Sequence, residues 1–224
     1  MWRDAVLVAG KDLRIEARSR VATNQVAPFA VLVLVLFAFA LDPDRGVLAR
    51  AAAGLFWVAV LFSALLAVQR AQAIESGEGT GDALRLSGLD PAGIFLGKAG
   101  AVVVQLLALE VLLGIGVVVL YDVRLDGYVT LAATAVAATL GLAAAGTLYG
   151  ALSAGSQVRE TLLPLLLLPA VAPVLIAATR ASEAALGTGS LGVAPSDWLT
   201  LLTVFAVVYV AFGIVAFGPL MEEQ

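Results

Sequence analysis

The sequence offers few side chains that could carry out chemistry. Its 224 residues include neither histidine nor cysteine, which excludes disulfide bonds and removes the usual ligands of zinc, copper and iron–sulfur centres. Acidic residues outnumber basic ones by 17 to 13, whereas nucleic-acid-binding surfaces need an excess of positive charge. We therefore expect no catalytic residues, no metal site and no nucleic-acid partner.

Glu110 is the one ionisable residue near the centre of a long apolar run. Ionisable groups inside a membrane are costly and are by default candidates for function. Glu110 could line a polar path, or it could be neutral and hydrogen-bonded to a neighbour such as Thr134 or Thr139. It could equally join two helices, with nearby Gln105 as a second polar contact. The sequence leaves these alternatives open.

The stretch Gly93-Ile-Phe-Leu-Gly97-Lys98-Ala99 has a superficial likeness to a phosphate-binding loop. It is one residue short between the glycines, and Ala99 stands where a serine or threonine would bind magnesium. The stretch also opens a membrane span. No other nucleotide fingerprint is present, so any ATP must be bound by a partner subunit.

The connection around residues 69–95 is the candidate docking surface for a soluble partner. Its glycines, followed by a short amphipathic stretch and Asp90-Pro91 as a stop, predict a brief helix outside the membrane. The leucines could form an exposed apolar surface rimmed by charges, or they could fold back onto the bundle. The docking residues would be Glu75, Glu78, Asp82, Leu84, Arg85, Leu86 and Leu89.

The elements that carry these residues are predicted to be membrane helices. The sequence is 61% hydrophobic and only 13% charged, and its mean hydropathy is +1.01, far from the composition of a soluble domain. Continuous apolar runs long enough to cross a bilayer indicate helices rather than barrel strands. We predict an all-α integral membrane protein that forms a single domain over 1–224, with spans at about 25–41, 51–68, 96–121, 128–152, 161–179 and 198–219.

Residues 1–20 are predicted to form an amphipathic helix in the membrane interface, followed by a turn into the first span at Pro28. Basic residues set the orientation, because they are enriched on the cytoplasmic side. With the N-terminus inside, nine Lys and Arg residues lie in inner segments and four in outer loops. Both termini are therefore predicted to be cytoplasmic.

Two patterns concern helix packing. Gly146 and Gly150 are four residues apart and form a small-residue ridge, which allows close packing within the chain or across a homodimer. Pro164, Pro169 and Pro173 fall within one span and predict a helix that is bent or broken there. This kink could be static or could serve gating.

Several segments, in order, resemble the cytochrome c maturation protein B family, the heme-exporter permeases. These are Lys11-Asp-Leu-Arg-Ile-Glu-Ala-Arg-Ser-Arg20, Leu55-Phe-Trp-Val-Ala-Val-Leu-Phe62, the stretch from Glu75 through Ile94-Phe-Leu-Gly-Lys98, Gly146-Thr-Leu-Tyr-Gly-Ala-Leu152, and Leu162-Leu-Pro-Leu-Leu-Leu-Leu-Pro169. Together they cover essentially the whole chain. The extra glycines Gly77, Gly79 and Gly81 depart from the family pattern.

The resemblance implies an ABC-2-type permease of the prokaryotic inner membrane, on which a cytoplasmic ATPase similar to cytochrome c maturation protein A docks. It also implies membrane partners similar to the C and D proteins, with heme handled by the complex. Because the chain lacks histidine, it has poor means of ligating heme iron, and a partner would hold the iron. The alternatives are a permease for another substrate (a lipid, glycan or drug), a non-transporting scaffold, or a secondary transporter.

Overall fold

The computed structural model describes residues 1–20, 22–41, 45–75, 88–123, 125, 127–154, 158–188 and 194–222. Within these ranges the chain forms seven α-helices and no strand, with a short π-helical segment at Ala22–Val26. The helices are α1 (Trp2–Ser19), α2 (Ala27–Leu41), α3 (Arg45–Glu75), α4 (Pro91–Tyr121), α5 (Tyr128–Ala154), α6 (Arg159–Ala185) and α7 (Pro195–Glu222).

Helices α2 to α7 are each long and apolar enough to cross a membrane, counting with α2 the residues from Asn24. This confirms the predicted all-α class with six spans, and the chain is a multi-pass membrane protein. The helices run past several of the predicted windows, because a helix continues into the interface wherever its backbone groups stay paired. The second span, for example, begins at Arg45 and not at residue 51.

The start of α4 differs from the prediction. Asp90-Pro91 begins the third span, five residues earlier than predicted, while the loop helix predicted before it lies outside the described residues. The Asp90 side chain accepts a hydrogen bond from the backbone N–H of Ala92, at 3.1 Å, and Pro91 occupies the first helical position. Aspartate at the N-cap followed by proline is a strong start signal, since proline lacks the N–H that would otherwise be unpaired.

The turn between α1 and the first span also lies elsewhere than predicted. Arg20 adopts the left-handed conformation, with φ 54° and ψ 26°, and its N–H donates to the carbonyl of Glu16. A left-handed residue at this position ends a helix. Pro28 lies in the first turn of α2, where proline is tolerated, so the expected turn at Pro28 is wrong.

Helix α5 lies at the centre of the bundle and packs against α3, α4, α6 and α7. Its middle carries consecutive alanines, Ala143, Ala144 and Ala145, which are fully buried. Side chains this small let neighbouring helices approach closely. Among the six spans, α2 and α7 bury the smallest share of their residues, as expected of spans that face lipid.

Helix α6 is continuous across Pro164, Pro169 and Pro173. The span is therefore not broken, although a bend remains a prediction. Pro169 and Pro173 are exposed, while the buried side of the helix carries Leu167 and Val171. The missing backbone donors thus lie away from the core, where they disturb packing least.

Candidate functional sites along helix α4

The first half of α4 lies in very close contact with α1. A Cβ atom added to Gly93 would lie 2.8 Å from the backbone oxygen of Met1, and one added to Gly97 would lie 2.6 Å from that of Ala5. The Gly97 position also faces Val8, which is 3% exposed. The stretch that has a likeness to a phosphate-binding loop is therefore a helix-packing surface, in which the glycines admit another backbone.

Polar contacts tie the N-terminus of α1 to the start of α4. The Asp4 carboxylate accepts hydrogen bonds from the backbone N–H of Asp90, at 3.3 Å, and from the Met1 ammonium, at 3.2 Å. The Met1 ammonium also lies 3.4 Å from the Asp90 carboxylate. The bond from Asp90, followed by that from the ammonium, lowers the pKa of the Asp4 carboxyl below its ordinary value.

A charged junction joins the other end of α1 to α3 and α4. Arg70 of α3 donates from Nε to Glu16 Oε2 at 3.3 Å, and the two side chains are 34% and 12% exposed. Asp12, Lys98 and Gln105 line the same small cleft. Lys98 is 5% exposed, and a buried charge of this kind is retained where other groups compensate it. We call the set Asp12, Glu16, Arg70, Lys98 and Gln105 the charged junction.

Sequence reasoning missed the charged junction. It considered Lys98 in a rejected phosphate-binding motif, in a family-resemblance segment and, with Arg70, as an indicator of orientation, and it placed Gln105 with Glu110. One signal was available: Asp12 and Glu16 lie among the basic residues of α1, yet they are one helical turn apart and therefore share a side of the helix. Acidic residues on one side of a basic helix indicate that this side meets a positively charged neighbour.

Glu110 lies on a different side of α4 from Gln105 and is 5% exposed. Of the two candidate partners, Thr139 of α5 donates its hydroxyl to Glu110 Oε1. Thr134 does not take part, and within the described residues its hydroxyl and Glu110 Oε2 have no hydrogen-bond partner. The carboxyl group thus joins α4 to α5 through one oxygen and leaves the other available.

Glu110 also lines a cavity of about 380 Å³ between α3, α4, α5 and α6. The rest of the wall is mostly apolar, and Trp57 forms part of it. The indole N–H of Trp57 donates to the Ser182 hydroxyl at 3.0 Å. This hydrogen bond joins α3 to α6 in the wall of the cavity. A cavity of this size, with mostly apolar walls and a few polar groups, has the character of a small-molecule site.

The small-residue ridge on α5 faces α3 of the same chain. A Cβ on Gly146 would lie 2.7 Å from Val68, and one on Gly150 would lie 2.8 Å from the side-chain nitrogen of Gln72. Of the two uses that the sequence left open, close packing within the chain is the one observed. The ridge is therefore occupied and gives no support to a homodimer contact.

Most of the candidate docking surface lies outside the described residues, namely Glu78, Asp82, Leu84, Arg85 and Leu86. Glu75 is the last residue of α3, whose end flanks this segment. Leu89 is half-buried and packs against the buried cluster that includes Val8, Ile94 and Phe95. Leu89 thus folds back onto the bundle, as the plainer alternative held, because it directly precedes the cap of α4.

The described residues contain no group of three or more acidic side chains that could hold a metal ion.

Comparison with known proteins gives a consistent result. The family model described as "CcmB protein" matches residues 3–222. The chain is 29% identical over 208 residues to heme exporter protein B of Paracoccus denitrificans, which covers 90% of this chain and 89% of that protein. It is 30% identical over 166 residues to heme exporter protein B of Rhodobacter capsulatus, covering 74% and 76% of the two chains. It is also 30% identical over 175 residues to that of Haemophilus influenzae, covering 78% and 79%.

Proposed function

The chain belongs to the CcmB protein family, and from this premise we propose that it is the membrane-spanning permease subunit of an ABC transporter complex that delivers heme for cytochrome c maturation. The observation that carries the proposal is a family match over residues 3–222 on a chain with six helices able to span a membrane. The subunit itself catalyses no reaction. It takes the ABC-2-type architecture and resides in the prokaryotic inner membrane, with both termini in the cytoplasm.

ATP hydrolysis belongs to a separate cytoplasmic subunit similar to cytochrome c maturation protein A. The segment that joins α3 to α4 is the proposed contact. It leaves α3 at Glu75 and returns to α4 at Asp90, and both of these helices are held by α1, one through Arg70 and the other through Gly97. A displacement of this segment by the ATPase would therefore move α1, α3 and α4 together.

Heme is the proposed cargo of the complex, and another subunit holds its iron. The chain contains no histidine or cysteine and only two methionines, so it has neither imidazole nor thiolate, the groups that most often ligate heme iron, and few thioethers. The membrane proteins similar to cytochrome c maturation C and D are the proposed source of axial ligands. If this chain contacts heme, it does so through apolar packing against the porphyrin ring.

The first test is replacement of heme exporter protein B in Paracoccus denitrificans by this chain, with c-type cytochromes measured by their covalently bound heme. Restored cytochromes are expected. A folded, inserted chain that restores none would overturn heme delivery as its role in that host.

The second test is purification of the tagged chain in mild detergent, with identification of its partners and an absorption spectrum for heme. Recovery of an ATPase together with C- and D-like proteins supports the proposal. An ATPase alone keeps the permease and leaves another substrate, such as a lipid or glycan. No ATPase, from a folded preparation, favours a scaffold or a secondary transporter.

The docking segment has its own test. Replacing Leu84 and Leu86 with aspartate should abolish recovery of the ATPase while leaving insertion intact, because apolar side chains at the centre of an interface contribute most of its affinity. Val129→Asp is the control, since Val129 is exposed at the far end of the bundle. Unchanged ATPase recovery with the double variant would exclude this segment as the contact.

A further inference from the structure

Helix α1 places its acidic residues and its arginines on different sides, and only the acidic side is covered by the rest of the chain. Asp4, Asp12 and Glu16 are all its acidic residues, and their side chains are only 22%, 20% and 12% exposed. Asp4 contacts Asp90 at the start of α4. Asp12 lines the same cleft as Lys98 of α4, and Glu16 binds Arg70 of α3. The acidic residues of α1 therefore face other helices of the same chain.

The arginines of α1 lie on another side and are exposed, whereas its one lysine, Lys11, is half-buried and pairs with Asp12 at 3.0 Å. Arg3, Arg14 and Arg18 are eleven and four residues apart, which places them on one side of a helix, and all three are exposed, as is Arg20 at its end. The whole chain carries a net charge of −4, so this positive surface is opposite in sign to the net charge of the protein. Such a surface attracts anions rather than repelling them.

An apolar strip lies between the covered side and the arginines. Trp2 and Val6 are 72% and 71% exposed, and Leu13 and Ala17 follow on the same side. A soluble helix would not leave a tryptophan this exposed, whereas a helix in a membrane interface buries such residues among the lipid chains. The chain enters its first span at Asn24, only four residues beyond Arg20, so α1 is tied to the membrane surface.

We propose that α1 is a binding surface for anionic phospholipids, with Trp2 and Val6 inserted between lipid chains and Arg3, Arg14 and Arg18 contacting the phosphate groups. Arginine binds phosphate oxygens through paired N–H groups. The contact with α4 at Gly93 and Gly97 fixes the rotation of the helix. Because the rotation is fixed, the apolar strip and the arginines are presented together and in a constant orientation.

The test uses the full chain reconstituted in phosphatidylcholine vesicles that contain brominated phosphatidylglycerol or brominated phosphatidylcholine at equal mole fraction. Trp2 fluorescence is obtained as the difference between the native protein and Trp2→Phe, because Trp57 and Trp198 contribute to both. We expect the anionic lipid to quench Trp2 several-fold more strongly, since one arginine near an anionic surface contributes about fivefold in affinity. The preference should weaken at high salt, which screens exposed charges.

Variants separate charge from folding. Arg3→Gln, Arg14→Gln and Arg18→Gln combined should remove the lipid preference, whereas lysine at the same three positions should retain most of it. The matched control is Arg50→Gln with Arg180→Gln, which removes exposed charge elsewhere. Equal quenching by both lipids in the native protein overturns the proposal, as does a preference that survives the triple glutamine variant. A preference seen only when an acidic protein copurifies would assign the surface to that protein instead.

Discussion

The two halves of helix α4 meet their neighbours in opposite ways. The first half packs against α1 at backbone distance through Gly93 and Gly97, and charged groups line the cleft beside it. The second half faces a mostly apolar cavity of about 380 Å³, where Glu110 has one oxygen bonded and the other without a partner among the described residues. The first half of α4 is tightly packed against its neighbour, while the second half borders unfilled space.

This difference indicates which half transmits force and which half accommodates change. A contact between backbones cannot adjust through side-chain rotation, so α1 and the first half of α4 move as one body. A cavity can be filled or emptied at low cost. In the proposed cycle, the rigid half is the one next to the segment on which an ATPase docks. Each of the following variants tests this contrast.

The largest effect is expected from Glu110→Lys. It places a cation among apolar walls, at a cost of about 3 kcal/mol for lysine in the centre of a membrane helix. Glu110→Gln keeps an acceptor for the Thr139 hydroxyl and should cost less than about 1 kcal/mol. The readouts are the yield of folded protein and the amount of c-type cytochrome. Equal loss with both variants would mean that a carboxyl group is required, and not merely a hydrogen bond.

Gly97→Ala should come next, with a loss on the order of 1–3 kcal/mol from overpacking. Its Cβ would meet the backbone oxygen of Ala5, so α1 must shift, and trypsin should cleave at Arg14 and Arg18 more rapidly. The control on the same helix is Gly100→Ala, because no atom lies within 4 Å of its added Cβ. Similar thermal unfolding of the two variants would show that the contact is not rigid.

The Glu16–Arg70 pair should contribute less, about 1 kcal/mol, because Arg70 is 34% exposed and solvent screens the attraction. Single substitutions Glu16→Gln and Arg70→Gln are compared with the double variant in a thermodynamic cycle of thermal unfolding. The coupling energy should shrink as salt is added. Purely additive losses would mean that the pair does not couple α1 to α3.

The smallest effect is expected from Gly114→Ala, which adds the same methyl group as Gly97→Ala but into the cavity. Among the described residues, no atom beyond the adjacent backbone of α4 lies within 4 Å of its Cβ, and alanine favours helix over glycine by up to about 1 kcal/mol. The melting temperature should therefore stay constant or rise slightly. A marked fall would show that the second half of α4 is as tightly packed as the first.

The sequence alone was sufficient for the helical class, the six spans and the family resemblance. Hydropathy is a local property, and inside lipid a continuous apolar segment has to be a helix because its backbone groups must pair with one another. It also identified Glu110 as a buried acid and Thr139 as one of its two possible partners.

Only the tertiary structure decided which side of each helix meets which neighbour. In the structure, Gly93 and Gly97 form a packing surface for α1. Gln105 lies in a different cleft from Glu110, and Glu16 binds Arg70, 54 positions away in the sequence. These outcomes depend on the rotation of α4 about its own axis. That rotation is set by side chains from α1, α3 and α5 together, and in a sequence where nearly every position of a span is apolar, periodicity cannot reveal it.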